Sequence, residues 1–301
     1  MLNIKLSLAV NNFLEYLENL DADTKRAYTL DLNAFILNFE EDISINQIST
    51  NHLKIYLNNL KTKDNKRVSV STQNRHYATL KRFFDWLKKE NYIQENLFEN
   101  LKRRRPNKDL GEVPSGSIIR SLTQDQIEQL LQNLKEFELR EQVLFLLIYT
   151  TGLRISEALK LKIEDIQEDG SILVRSTKGN KPRKTFVGKI LKPLLKKYIS
   201  KLEKNSWLFP SIKLSAESMS YGRARQLFTK ISQGIKNYDG SKITIHQLRH
   251  TFATERVGYI DSILLMDLMG HSDIRTTLRY AKADVKAIKN AFDVFDQRKF
   301  R

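Results

Sequence analysis

The chain of 301 residues carries 51 Lys and Arg against 35 Asp and Glu, a formal net charge of +16 with a pI near 9.7. Such an excess draws polyanions, because each neutralised phosphate releases condensed counterions, although a generically basic protein from a lysine-rich proteome would share the number. Hydrophobic residues make up 41%, the level of a folded soluble chain, and the lack of cysteine excludes disulfides, thiolate metal ligands and a thiol nucleophile. The longest apolar run, 143–149, is too short to span a bilayer, and residues 1–5 lack the features of a signal peptide. An intracellular protein is the expectation.

Residues 1–101 read as a helical domain. Val10, Phe13, Leu14 and Leu17 recur at helical spacing, and Ala27, Leu30, Ala34 and Leu37 predict the buried face of a second helix. Ser49 or Thr50 caps a third helix carrying Leu53, Leu57 and Leu60; Ser71 or Thr72 caps a fourth that buries Tyr77, Leu80, Phe84 and Leu87. Arg75 and Arg82, seven apart, share the other face of that last helix, either to meet phosphates or simply to be solvated. Residues 102–116 follow as a linker, with Gly111, Pro114 and Gly116 behind a basic block. A tether explains the Pro and Gly but needs no run of Arg103, Arg104 and Arg105, so we read the segment as a strap against a DNA backbone.

A second domain spans 117–301. Thr123 caps a helix through Gln126, Leu130 and Leu134, and a buried helix over 141–149 ends at Gly152. Residues 171–175 and 184–187 predict short strands around a turn at Lys178-Gly179-Asn180-Lys181, and helical patterns resume near Leu191. The fold expected is mainly α with a small β-sheet (α+β).

There is no Walker-type phosphate loop, no His-Glu-x-x-His helix and no acidic triad for magnesium, and His246 and His250, four apart, lack a third ligand. Phosphodiester chemistry without a metal then rests on arginine, lysine, histidine and a side-chain nucleophile. Such a set is present. Arg154 follows the helix-ending Gly152, with Glu157 three residues on; His246 and Arg249 share a helical face; Gly270-His271-Ser272 sets a histidine beside a capping serine, ahead of a helix ending near Tyr280.

The order Gly-Leu-Arg-Ile-Ser-Glu (152–157), Lys-Gly (178–179), His-Gln-Leu-Arg-His-Thr-Phe-Ala-Thr (246–254) and Met-Gly-His-Ser-Asp-Ile-Arg-Thr-Thr-Leu-Arg-Tyr (269–280) closely resembles the tyrosine recombinase (phage integrase) family, in its two-domain Xer-like form. Residues 24–35 and 71–87 resemble that family's helical core-binding domain. The resemblance implies a C-shaped clamp on duplex DNA in which Arg154 and Arg249 grip the scissile phosphate. Tyr280 would attack in line to give a 3′-phosphotyrosyl link, and Lys178 would protonate the departing 5′-oxygen, with Lys181 of the same turn the alternative. His246 would manage the tyrosine proton and His271 would hydrogen-bond the phosphate. The covalent link conserves the bond energy, so no metal, ATP or other cofactor is expected. Lys25, Arg75, Arg82, Arg103, Arg104, Arg105 and Lys181 are the candidate DNA contacts.

Blander readings stand beside these. Tyr280 could be a half-buried core residue, Arg154 could cap a helix carbonyl, and Arg249 could pair with Glu157 or Glu255. Glu157 reads as structural, orienting an arginine, and His250 as a core or supporting residue. The turn Ser176-Thr177-Lys178-Gly179 and the Ala281-Lys282-Ala283 after Tyr280 depart from the family's commoner patterns.

In the tail, Val285, Ile288, Phe292 and Phe295 form a narrow apolar seam that packs either on its own domain or, as the resemblance implies, on a neighbouring protomer. The implied assembly is a dimer on an inverted-repeat site and a tetramer in the synapse, resolved through a Holliday junction, with a paired recombinase or accessory activator as further partners and no membrane. The implied role is chromosome dimer resolution or integration of a mobile element, in the cytoplasm at the nucleoid. A type IB topoisomerase and a catalytically silent DNA-binding regulator are the rivals.

Overall fold

The computed structural model describes residues 4–20, 22–62, 64–107, 120–175, 182–203, 206–212 and 216–270. The chain divides into two compact units, Met1–Ile118 and Ile119–Arg301. Among the described residues no helix is long and apolar enough to cross a membrane.

The first unit is helical: α1 (Leu6–Tyr16), α2 (Ala22–Ile36), α3 (Thr50–Asn59) and α4 (Val70–Lys89). Its centre is aromatic. Phe13 packs on Phe83 and on Trp86, with centroids 5.4 Å apart in each case, and Phe35 meets Tyr56 at 5.0 Å. Ser49 caps α3 by accepting from the His52 N–H. The cap of α4 is Ser69, earlier than the predicted Ser71 or Thr72, and its hydroxyl accepts from the Thr72 N–H at 3.1 Å.

The face of α2 also differs from expectation. Leu30 and Leu37 are 61% and 83% exposed, while Leu32, Phe35 and Asp31 are buried. Asp31 explains the rotation. Its carboxylate accepts from Arg75, from Thr79 Oγ1 at 2.9 Å and lies 3.3 Å from His76 Nε2, and the Tyr56 hydroxyl bonds the Asp31 carbonyl and His76 Nδ1. A buried carboxylate demands such partners, and they all sit on α3 and α4. Burial, reinforced by the Arg75 charge, holds the His76 pKa below its usual value despite Asp31. We expect Asp31→Asn to cost about 2 kcal/mol, the scale of a buried hydrogen bond to a charged group. Urea unfolding followed by the emission of buried Trp86 measures it.

The second unit is mostly helical with one small sheet: α5 (Gln124–Leu134), α6 (Leu139–Thr151), α7 (Ile155–Leu159), β1 (Ser171–Val174), β2 (Arg183–Phe186), α8 (Leu191–Ile199), α9 (Tyr221–Ile231), α10 (Ile245–Arg256) and α11 (Ser262–Met269). Thr123 caps α5 in a reciprocal box with Gln126. The middle of α6, with Val143, Leu144, Phe145, Leu147 and Ile148 all buried, forms the axis of the core, with α8 and α10 packed against it. β1 and β2 pair antiparallel, with Ser171 opposite Phe186 and Val174 opposite Arg183. β2 is amphipathic in the inverse sense: Arg183 and Thr185 are buried and Phe186 is 58% exposed. Its inner face meets polar backbone at a helix end, where Thr185 Oγ1 donates to the Thr151 carbonyl at 3.1 Å.

Candidate active site

The site is built where two helices stop. α6 ends at Gly152, whose φ of 68° is left-handed, and a Cβ there would stand 2.4 Å from Phe252 Cδ1. The turn buries Leu153 and delivers Arg154 as the N-cap of α7. Glu157 reaches back to it: one carboxylate oxygen accepts the Arg154 N–H at 2.8 Å and the other accepts from Arg154 Nη1 at 2.9 Å.

Glu157 is 3% exposed and bears a second, stronger contact. Arg183, at the start of β2, forks onto it with Nη1 at 3.0 Å and Nη2 at 2.7 Å from its two oxygens. Arg249 of α10 stands 3.9 Å away. Burial alone would raise the Glu157 pKa, but the Arg183 fork and charge, the Arg154 N–H and the Arg249 charge prevail and hold it at about 2.

The second helix end is that of α11, closed by Gly270 at φ 59°. Three successive carbonyls there each accept from a different guanidinium. Leu268 O takes Arg183 Nε at 2.8 Å, Met269 O takes Arg249 Nη2, and Gly270 O takes Arg154 Nη2 at 3.0 Å. The Arg249 Nη1 group donates to the Gly152 carbonyl, which joins the ends of α6 and α11 through one side chain. The carbonyls left over at a helix C-terminus carry partial negative charge, so cations are their natural partners. Three guanidiniums against one carboxylate leave two positive charges in excess, suited to a phosphate that gains charge in its transition state.

His246 lies three residues before Arg249 on α10 and reaches solvent. Packing around the ring, then the Arg249 and Arg154 charges, lower its pKa, which favours the neutral imidazole. The His250 ring stands edge-on to it, with centroids 4.3 Å apart. Among the described residues no cluster of three His, Asp or Glu side chains could hold a metal ion.

The structure thus brings together Arg154, His246 and Arg249 of the predicted catalytic set. Lys178, Lys181, His271 and Tyr280, together with the seam Val285, Ile288, Phe292 and Phe295, lie outside the described residues. Of the two partners weighed for Arg249, Glu157 is the near one; Glu255 instead accepts from the Tyr149 hydroxyl at 2.8 Å and neighbours Arg256 at 3.4 Å. Arg183 is the member that sequence reasoning missed. It sits among Lys181, Pro182 and Lys184 and looks like one more surface charge.

Four of the candidate DNA contacts of the first unit, Arg75, Arg82, Arg103 and Arg104, have contacts of their own. Arg75 pairs with Asp31 while its side chain stays 49% exposed, and Arg82 donates to the Tyr28 hydroxyl at 3.0 Å and lies over that ring. Lys25 is half-buried on α2, and Arg105 is exposed. The block 102–107 is docked rather than loose at Arg104. Its backbone exchanges hydrogen bonds with the Asn74 side chain, both at 3.0 Å, and its Nη1 donates to Gln73 at 2.9 Å. Arg103 lies over the Tyr77 ring at 5.8 Å. Lys54, Arg67, Lys102 and Arg104 line a groove of about 430 Å³ there.

Paired arginines held against helix-end carbonyls, with a histidine one turn from one of them, make a cationic site suited to a phosphodiester. Residues 120–287, more than half of the chain, match the phage integrase family, and residues 10–91 match the phage integrase N-terminal SAM-like domain. The chain belongs to the phage integrase family of tyrosine recombinases, enzymes that transfer DNA strands in site-specific recombination. It is 33% identical to the tyrosine recombinase XerA of Pyrococcus furiosus over 205 residues, 66% of this chain and 68% of that protein. It is 26% identical to the tyrosine recombinase XerD of Listeria innocua over 302 residues, 96% of this chain and 98% of that one. Among solved structures, the fold is similar to lambda integrase(75-356), a dimer bound to a COC′ core site, with a TM-score of 0.75, 19% identity and coverage of 94% and 97%. It is also similar to the XerH site-specific recombinase bound to palindromic difH substrate, with a TM-score of 0.69, 24% identity and coverage of 95% and 84%.

Proposed function

We propose that this chain cuts and rejoins duplex DNA at an inverted-repeat site, with Tyr280 as the nucleophile. Arg154 and Arg249 hold the nonbridging oxygens of the scissile phosphate. The Tyr280 oxygen bonds to phosphorus as the bond to the 5′-oxygen breaks; the tyrosine proton passes to neutral His246 and Lys178 supplies the proton that makes the departing 5′-hydroxyl. His271 donates to the phosphate, and Lys181, Lys25, Arg75, Arg82, Arg103, Arg104 and Arg105 track the backbone. An incoming 5′-hydroxyl reverses the step and joins a new strand.

The observation that carries this reading is the suspension of Arg154 and Arg249 from carbonyls 270 and 269, directly before His271 in the sequence, with His246 one turn from Arg249. In sequence, the basic segment 102–116 joins a helical DNA-gripping domain to the catalytic domain 117–301. The dimer in the lambda integrase complex and the palindromic substrate of XerH support two protomers per site, and we extend this to a tetramer in the synapse, joined by the 285–295 seam. Similarity to XerD across nearly the full chain supports a role in resolving chromosome dimers in the cytoplasm, at the nucleoid.

The test is covalent capture. Wild type and Tyr280→Phe are incubated in chelator without ATP on fragmented source DNA, denatured, and the protein-linked DNA sequenced. Wild type alone should retain DNA, converging on one inverted repeat whose chromosomal or mobile-element position decides the role. Retention by both proteins would remove Tyr280 from its assignment, and retention by neither would overturn autonomous cleavage.

A further inference from the structure

We infer that Arg183 is a positioning residue of the recombination reaction: held by its fork on Glu157 and its bond to the Leu268 carbonyl, it sets the place of Arg154 and of the chain entering His271. The inference rests on the proposed roles of Arg154 and Tyr280.

Three observations converge on this side chain. First, an arginine only 4% exposed at its side chain has no solvent to satisfy it, and its Nε, Nη1 and Nη2 all donate within the protein. Second, its two contacts on Glu157 occupy both oxygens of the same carboxylate that receives the Arg154 N–H and Nη1. Turning that carboxylate would move Arg154, because both are held through the same two atoms. Third, its Nε bond falls on the first of the three consecutive carbonyls at the end of α11, the other two being held by Arg249 and Arg154. Its guanidinium also fills the space beside Gly270, where a Cβ would come within 2.8 Å of Nη1.

Arg183 further stands at the start of the strand that follows Lys178 in the sequence. One planar group therefore ties that strand to the glutamate behind Arg154 and to the helix end ahead of His271. Lysine cannot reproduce this. Its ammonium is a point charge whose donors cannot form a planar fork on one carboxylate while reaching a carbonyl on the other side. In Arg183→Lys the charge is kept and the geometry is lost, which separates positioning from simple neutralisation of Glu157.

The experiment uses full-length Arg183→Lys and a nicked duplex carrying the captured site, so that cleavage is trapped and read in a single turnover. Duplex affinity is read separately by anisotropy. We expect an unchanged Kd and a cleavage rate lower by on the order of 100-fold, the loss a displacement of about 1 Å brings at a reacting centre. On a duplex whose scissile phosphate is a methylphosphonate, with one nonbridging oxygen replaced by methyl, the loss should shrink to below about 10-fold, because the grip on that oxygen is already gone.

A merely structural role would instead lower the rate on both substrates equally, in step with the folded fraction measured by circular dichroism. That result overturns the inference, and so does wild-type cleavage by Arg183→Lys. If wild type itself forms no adduct, the Tyr280 reading fails first. The His246 imidazole titration, followed by NMR without DNA alongside circular dichroism, then still decides: an unmoved midpoint in Arg183→Lys, or one that moves only with loss of folded protein, overturns the positioning role, and one that moves at an unchanged folded fraction sustains it.

Discussion

Glu157→Gln unfolds the second unit more easily by about 3–5 kcal/mol, the cost of removing one partner from a buried ionic cluster and leaving the others uncompensated. The carboxylate accepts four hydrogen bonds, two from Arg154 and two from Arg183, with Arg249 at 3.9 Å. Glutamine has the same shape, but one of its two terminal atoms becomes a donor aimed at donors. The same glutamate writes a pH dependence. Its folded pKa of about 2 lies below the ordinary 4.5, so its contribution is complete above 4.5 and is lost as pH falls towards 2. The shift corresponds to about 3 kcal/mol. Wild type should therefore lose stability between pH 4.5 and 2 more steeply than Glu157→Gln. The two tryptophans fall one in each unit, Trp86 and Trp207, so a Trp86→Phe background leaves Trp207 to report on the second unit during urea unfolding. Equal acid slopes in the two proteins would refute the assignment.

Gly152→Ala is expected to destabilise the same unit by about 3 kcal/mol, from two independent costs. A left-handed backbone costs an L-residue roughly 1–2 kcal/mol. The added methyl must also share space with Phe252, 2.4 Å from its Cδ1 on the ideal geometry, and overpacking of that kind costs about 1–3 kcal/mol. Phe252 is 4% exposed and belongs to α10, the helix that carries Arg249, so relief by moving the ring also disturbs the guanidinium on the Gly152 carbonyl. The urea midpoint read by Trp207 measures the loss, and a phosphodiester cleavage assay at a temperature where the protein stays folded measures the disturbance. A midpoint within about 0.5 kcal/mol of wild type, the scatter of ordinary surface substitutions, would show that α10 yields freely.

What the sequence made legible was local. Gly152 after an apolar helix, the Thr123 cap and the apolar face of α4 each declare themselves within a few residues, and all stand as expected. What it concealed depends on partners far away in the chain. Asp31 looks like the solvent side of α2, and only Arg75, His76 and Thr79, more than forty residues on, make it the buried side. That is why Leu30 and Leu37, apolar and rightly spaced, ended up in solvent. Arg183 is the sharper case, because alternation along β2 would bury Phe186 and expose the arginine. The order is reversed because the strand's inner face meets Glu157 and helix-end carbonyls instead of apolar side chains. A single hint was present: Thr185, two residues on, makes the whole inner face of β2 polar. The candidate site followed the same division, with Arg154, His246 and Arg249 placed by nearby signals and Arg183, which shares Glu157 with Arg154, hidden in an unremarkable basic stretch.

The end of α11 is held by its backbone, and this changes what kind of variation it can absorb. Guanidiniums bound to carbonyls 268 and 269 do not sense the side chains of those residues, so the identity of residue 268 is constrained only by packing, and that side chain is itself only half-buried, whereas residue 270 is held to glycine by the Arg183 guanidinium beside it. Length is another matter. One residue gained or lost within α11 would turn its last carbonyls by about 100° and carry all three acceptors away from three separate arginines together. The helix works here as a spacer of fixed reach, tolerant in its letters and intolerant in their number.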